Sequence, residues 1–321
     1  MKRLTWDISI GKYKLAMVES VKIVRSVENL ADTAEIVLPD TVMNKAIEIE
    51  SKLAKGDAVS ISLGYGEKLL KEFDGYLKTV KTDGGSLTLE CEDALFLFRV
   101  PMKDQEIQSP SVKTLLQMCA NEVRKQKGIA IKVECNYSFS YDKFVFSNAT
   151  AFDVLKKIQD EAKPNVYMKD NVLHVHPQYS EIFGSVVYDF QKNIDRDGND
   201  LKYVKKDDRK TLVKIEYTDA KGHKKTVEYG DTGGTVKKKR GGTADVASLK
   251  LLAKNEYESY CYDGYEGNIT GWLFPYCDAG YKATIKDADY EYKEGTYYVV
   301  AVTVEFGSNG GKRIVQLGKR I

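Results

Sequence analysis

The residues of this 321-residue chain best suited by type to do chemistry are its three histidines, and two of them stand close together. His174 and His176, at i and i+2 in a segment that reads as a strand, face one side at a metal-ligand spacing. No local pattern of Cys, Asp or Glu completes a ligand set around them, so a pair of surface histidines is expected. His223 lies between a turn glycine and two lysines and reads as a solvated loop residue. Bases for a Ser/His or Cys/His nucleophilic pair are therefore scarce, and no G-x-S-x-G elbow is present.

Phosphate and sugar chemistry fail on spacing. Gly64-Tyr65-Gly66 follows a strand, but Leu69 stands where a dinucleotide fingerprint needs its third glycine. Gly310-Gly311-Lys312-Arg313 resembles the end of a phosphate loop, yet Phe306 replaces its first glycine and Arg313 its Ser or Thr. Glu48 with Asp57, and Glu161 with Asp170, have the Glu-to-Asp spacing of a lysozyme pattern, but Leu63 and His176 occupy its Thr position. The sequence predicts no catalytic residue, no cofactor and no metal site.

Two surface clusters remain. Lys237-Lys238-Lys239-Arg240 has the charge to touch phosphates or an anionic partner surface, but a flexible, solvated basic loop, or one ordered only in an assembly, is the expectation over that contact. Tyr257, Tyr260, Tyr262 and Tyr265, with Trp272, Phe274 and Tyr276, have the types that stack on sugars or bases. Tyrosine also dominates protein interfaces, because it supplies large area at little rotamer entropy, and an interface is the expectation here.

The elements that must position these residues fall into three regions. Residues 1–95 read as an antiparallel meander. Val59, Ile61 and Leu63 share one face at period two, Phe73 to Val80 follows, and Asp83-Gly84-Gly85 turns into Ser86 to Cys91. A small first β-barrel domain is expected there. Residues 96–185 read as a compact α+β domain. Ser109 is placed as N-cap, Pro110 at the first helical position and Gly128 as the stop. Val112, Leu115, Leu116, Cys119, Ala120 and Val123 form the apolar face of that helix. Thr150-Ala151-Phe152-Asp153 opens a second helix in capping-box fashion, and Lys169-Asp170-Asn171 turns a hairpin. Residues 186–321 read as a second β-barrel domain. It carries a Lys-rich hairpin or loop insertion over about 201–242, with Asp219-Ala220-Lys221-Gly222 as a turn, and a helix over about 243–257 capped by Thr243.

Composition fits this picture. Hydrophobic residues make up 42% and charged ones 30%, as in an ordinary globular chain rather than a disordered one. The net charge is +2, so no overall field drives the chain onto nucleic acid or an anionic membrane. Residues 201–240 hold 13 basic and 6 acidic side chains, a local +7 that leaves −5 for the rest. Five cysteines without a C-x-x-C pair point to reduced thiols made in a cytosol rather than a disulfide framework. Met1 to Asp7 lacks the apolar run of a signal peptide, and no stretch is long enough to span a bilayer.

The outer regions also echo one another. Gly56 opens a strand and Gly75-Tyr76 starts a longer one, with a glycine turn and a closing strand behind it. Gly280 opens a strand, Gly295-Thr296-Tyr297 starts a longer one, and Ser308 to Gly311 turns into Ile314 to Leu317. The leading glycines are 19 and 15 residues apart.

With Lys55-Gly56-Asp57-Ala58-Val59-Ser60-Ile61 before Phe73-Asp74-Gly75-Tyr76-Leu77, and Leu89-Glu90-Cys91-Glu92-Asp93, this order resembles a known family. Ser111 to Leu116, Ala151-Phe152-Asp153-Val154-Leu155 before a hairpin, and the Glu294 to Val299 strand extend the resemblance over nearly the whole chain. The family is the phage baseplate hub or late control protein D group, with the Mu-type tail hub and the N-terminal part of type VI spike proteins. The resemblance implies an α+β, mainly β fold: two similar small antiparallel β-barrel domains with an α/β domain between them. It implies a homotrimer whose six barrels adapt a hexameric tail tube to a trimeric spike, with DNA only as passing cargo. It further implies no enzymatic activity, no membrane insertion, and location in the virion tail baseplate after synthesis in the bacterial cytoplasm. Gly56, Asp57, Val59, Ile61, Gly75, Tyr76, Gly280, Gly295 and Tyr297 are then barrel-signature residues. Tyr257, Tyr260, Tyr262, Trp272 and Lys237 to Arg240 are then interface candidates. The rival readings are a tail-associated cell-wall hydrolase and a carbohydrate-binding β protein.

Overall fold

In the computed structural model, residues 3–39, 52–83, 86–194, 199–219 and 221–321 are described. Met1 and Lys2, Glu48 of the first carboxylate pair, Gly84 and Gly85 of the first meander's turn, and Ala220 of the Asp219–Gly222 turn lie outside them.

The first region forms β1 (Leu4–Ile10), β2 (Tyr13–Lys14), β3 (Ser20–Ser26), β4 (Thr33–Leu38), β5 (Ala58–Tyr65), β6 (Lys68–Asp83) and β7 (Ser86–Glu92). Alternation decides which face is inward: Val59, Ile61 and Leu63 are buried, while Ser60 and Ser62 between them are half-exposed. β5, β6 and β7 pair antiparallel in sequence, with register slips after Ile61 and after Leu77. β1 flanks β5 and β4 flanks β7, both antiparallel.

The middle region forms β8 (Gln105–Gln108), α1 (Val112–Lys127), β9 (Lys132–Cys135), β10 (Lys143–Phe146), α2 (Ala151–Ala162), β11 (Pro164–Lys169) and β12 (Val172–Pro177). All six apolar positions expected along α1 are buried, and Gly128 ends it in the left-handed region (φ 71°). The N-cap differs from expectation. Ser111, not Ser109, accepts from the Thr114 N–H at 3.1 Å. The Ser109 N–H and the Pro110 carbonyl are engaged by Asp142 and Tyr141, so the helix starts only after that bridge. Thr150 and Asp153 form the reciprocal capping box, and Asp170 and Asn171 turn the hairpin with positive φ.

The last region forms β13 (Gly184–Asp189), β14 (Lys202–Val204), β15 (Thr211–Thr218), β16 (Lys224–Gly230), β17 (Thr235–Arg240), α3 (Val246–Tyr260), β18 (Gly264–Glu266), β19 (Asn268–Trp272), β20 (Tyr281–Lys286), β21 (Gly295–Gly307) and β22 (Gly310–Arg320). β20, β21 and β22 repeat the consecutive antiparallel meander, with slips between Tyr297 and Ala301. The segment expected as a basic loop is instead ordered as β17, which lies parallel to β15 in a three-stranded sheet. Asp245 rather than Thr243 caps α3, accepting from the Ser248 N–H at 2.9 Å, and the Thr243 hydroxyl accepts from the Asp245 N–H.

The fold is α+β and mainly β. The outer regions join edge to edge in one sheet of 14 strands among the described residues. One core unites them, running from Ile8, Ile61 and Leu77 to Ile285, Val299 and Val315. A second core unites α1 and α2 with the small sheet and α3 through Val213, Ile215, Leu249 and Leu252. The Lys-rich segment thus packs with the middle region, although in sequence it interrupts the last one.

Candidate functional site

The outer regions meet where β3 pairs antiparallel with β21, from Ser20 opposite Gly307 to Ser26 opposite Ala301. Beside this seam lies a buried ionic cluster. Glu72 of β6 is fully buried between two guanidinium groups, Arg25 of β3 and Arg313 of β22. Arg25 Nη2 donates to Glu72 Oε2 at 3.3 Å, and Arg313 Nη1 reaches the same oxygen at 3.3 Å. Arg313 also donates to the carbonyls of Leu273 (3.1 Å) and Cys277 (3.0 Å), and Arg25 Nε lies 2.7 Å from Asp278. Both guanidinium groups sit over the Tyr276 ring, with centroid distances of 5.7 and 5.0 Å. Burial opposes the charge on Arg25, but Asp278, Tyr276 and Glu72 hold its pKa above the ordinary arginine value. Arg25, Glu72 and Arg313 are thus paired in a desolvated site whose members come from both outer regions, and the partly exposed Asp278 supplies the second carboxylate.

Sequence reasoning missed this cluster, although its signal was present. Arg25 follows Val21 and Ile23 at period two, and Arg313 precedes Val315 and Leu317 at period two. A charged residue in register with an inward-facing row has to find a partner inside.

The signature residues occupy structural positions in both meanders. Gly56 (φ 95°) and Gly280 (φ 78°) turn the chain in the left-handed region ahead of β5 and β20. Asp57 Oδ2 accepts from the Ala54 N–H at 2.8 Å, closing that turn. Gly75 lies opposite Val59, where a Cβ would come within 2.2 Å of the Glu92 carbonyl oxygen, so only glycine admits β7. Gly295 lies opposite Ile285 in the corresponding place. Tyr76 stacks on Phe96 at 5.6 Å toward the middle region, whereas Tyr297 is buried and packs on Tyr265 at 4.9 Å.

The interface candidates do not form one patch. Strand alternation turns Lys237 onto the Tyr260 ring (5.2 Å) and Lys239 onto Glu256 of α3. Lys238 points the other way, 3.9 Å from Glu216, and Arg240 is exposed. Tyr257 is inside the small core, its hydroxyl donating to Asp231 at 3.0 Å. Tyr260 and Tyr262 are half-buried. Trp272 is 64% exposed.

His176 is not on the surface. It is 4% exposed, with Nδ1 2.9 Å from the Pro177 carbonyl, and burial lowers its pKa. His174 stacks on Tyr167 at 4.8 Å, with Nδ1 3.5 Å from Glu134. Among the described residues no group of three His, Cys, Asp or Glu is placed to hold a metal ion. His223 is exposed and lies 3.5 Å from Asp219.

One cavity, of about 280 Å³, is lined by three carboxylates: Asp32, Asp93 and Asp278. Each is engaged by local backbone. Asp32 accepts from the Ser26 N–H (3.2 Å), Asp93 from Leu95 (2.9 Å) and Asp32 (3.0 Å), and Asp278 from Ala279 (2.8 Å). Desolvation pushes Asp93 up to about 7 and also raises Asp32, where the nearby charges of Asp93 and Asp278 add to the effect.

No family model matches the sequence, and no curated protein matches it. Solved structures do. The chain is similar to a tail protein from Neisseria meningitidis at 15% identity and TM-score 0.65, covering 98% of this chain and 96% of that one. It is similar to the 43 kDa tail protein of prophage MuSo2 from Shewanella oneidensis at 13% identity and TM-score 0.64, covering 99% and 98%. It is also similar to a component of the E. coli type VI secretion system at 8% identity and TM-score 0.57, covering 98% and 79%. The chain therefore has the fold of phage tail proteins and of a type VI secretion component. That agrees with the resemblance carried by its short sequence phrases.

Proposed function

We propose that this chain is a structural hub of a phage tail or related injection apparatus, located in the tail baseplate and without enzymatic activity of its own. Three copies form a ring. The two outer regions act as paired β domains flanking the middle one, so a trimer offers six similar units. It adapts a six-fold tube on one side to a three-fold spike on the other, because closed rings bury matching patches only where symmetries agree. DNA passes through the ring without being read.

The observation that carries this reading is the repeated strand order. β1-β5-β6-β7-β4 in the first region is matched by β13-β20-β21-β22-β19 in the last, within a chain similar along its whole length to tail proteins. Within one chain the halves meet through β21 and β3. On β6, the edge facing β5 carries no strand partner over residues 78–83 among the described residues, and that edge is where a neighbouring copy would pair. Light scattering on the purified chain, alone and with its spike partner, tests the reading. The expected mass is three times 36.2 kDa, about 109 kDa, and a monomer under both conditions overturns it.

The acidic cavity favours a second reading, a wall hydrolase using Asp93 as general acid, since its raised pKa suits proton donation near neutral pH. Clearing of peptidoglycan by the purified chain, lost in Asp93→Asn, would establish that reading in place of the first.

A further inference from the structure

A groove of about 1020 Å³ opens at the end of the seam where the hairpin tips lie. It is lined by Arg3 and Leu4, by Tyr65 at the end of β5, by Trp272 and Phe274, and by the turn Ser308 to Gly311. Its lining is aromatic and preformed. The Tyr65 hydroxyl donates to the Gly311 carbonyl at 2.8 Å, and the Tyr65 and Phe274 rings lie 6.1 Å apart. A Cβ on Gly311 would come within 2.8 Å of Leu273, so the turn is packed down on the wall. Trp272 stands at the rim, the most exposed large apolar side chain among the described residues.

The charged residues that line the groove or touch its rings are cations, while Glu67 precedes Lys68 in the β5–β6 turn and Glu305 is the second cross-strand partner of Lys312. Arg3 lines it, Lys68 Nζ sits 4.4 Å from the Phe274 ring centroid, and Lys312 is the cross-strand partner of Trp272. None of the three lies within 4.0 Å of a carboxylate oxygen among the described residues, and no carboxylate lines the groove. This local excess stands out because the chain outside residues 201–240 is net −5. A sugar site would set planar Asp, Glu, Asn or Gln side chains beside the aromatic platform, and among the described residues Asn309 is the only such lining residue. An exposed indole with unpaired cations at an apolar groove suits a polypeptide carrying an aromatic anchor between carboxylates.

We propose that this groove binds an acidic, aromatic-bearing peptide segment of another protein. The groove is complete within one chain, so the inference goes beyond the ring and does not depend on it. Trp272 is the stacking platform. Arg3, Lys68 and Lys312 read the acidic flanks.

The test is binding of the full chain to an immobilised array of random dodecapeptides. Bound peptides should be enriched in Asp and Glu beside Phe, Tyr or Trp, with enrichment falling as salt rises. The double variant Arg3→Glu, Lys68→Glu should lose that preference at least tenfold and shift toward Lys- and Arg-bearing peptides. Trp272→Gln, exposed and so not needed for folding, should weaken every hit. Circular dichroism confirms that each variant is folded, and Lys312→Glu with Lys68→Glu replaces the first pair if Arg3→Glu is not. An array without charge preference, or a preference unchanged in all variants, overturns the proposal. So does saturable quenching of tryptophan fluorescence by chitotetraose that is lost in Trp272→Gln, with the peptides inert, which would make the groove a glycan site.

Discussion

In the first region β5, β6 and β7 run as an antiparallel meander flanked by β1 and β4. In the last region β20, β21 and β22 do the same, flanked by β13 and β19. The two then part company. β1 is antiparallel to β5, but β13 is parallel to β20. Beyond its pairing with β20, the far half of β21 is taken by β3, while the matching edge of β6 has no strand partner over 78–83 among the described residues. Tyr76 looks toward the middle region, whereas Tyr297 closes its own core. The scaffold is thus repeated while the neighbours differ. In the ring we propose, the shared part would set the shape, and the differing edges would decide which contacts form within a chain and which are left for another copy.

The largest break in the comparison should come from the cluster that bolts the halves together. Glu72→Ala leaves Arg25 and Arg313 buried without their shared carboxylate, and should cost about 3–5 kcal/mol in denaturant unfolding. Glu72→Gln keeps the volume but not the charge, and should fall between Ala and wild type. Matched core truncations come next. Ile61→Ala and Ile285→Ala, one in each half, should each cost about 2–5 kcal/mol. Because one core holds both halves, either variant should unfold in a single transition rather than releasing one half first.

A finer comparison lies within the Lys-rich strand. Lys239→Ala leaves Glu256, whose side chain is 6% exposed, without its ion pair, and should cost about 1–3 kcal/mol. Lys238→Ala on the outer face should cost less than about 0.5 kcal/mol. Equal losses would mean that the strand does not alternate as described. The remaining comparison is in pH. Asp93 has its folded pKa raised to about 7, above the unfolded value, so the folded state holds its proton longer. Stability from this group is therefore lost as pH rises from about 4 through 7, and Asp93→Asn should flatten that slope in thermal melts.

Much of this was readable beforehand, for stated reasons. The apolar face of α1, the Thr150 box and the inward row Val59, Ile61 and Leu63 depend on local periodicity and capping, which short windows carry. In sequence β17 reads as a loop, because its lysines mask a period-two pattern that tertiary partners, Tyr260 and Glu256, complete. Ser109 and Thr243 are good caps by type. They lost that place to Ser111 and Asp245, because a bridge to residues 140–142 sets one helix start and a two-residue shift sets the other. The Arg25, Glu72 and Arg313 cluster joins residues as much as 288 apart, from Arg25 to Arg313, and only the fold brings them together. The groove at the seam is invisible in sequence for the same reason, although Trp272 is an interface candidate by type.

Electron-microscope averages of the assembled particle, viewed down its axis, test the central claim most directly. Two alike β halves per chain predict a closed ring of three-fold symmetry with six lobes at one radius. Three lobes, lobes at two clearly different radii, or no ring at all would contradict it.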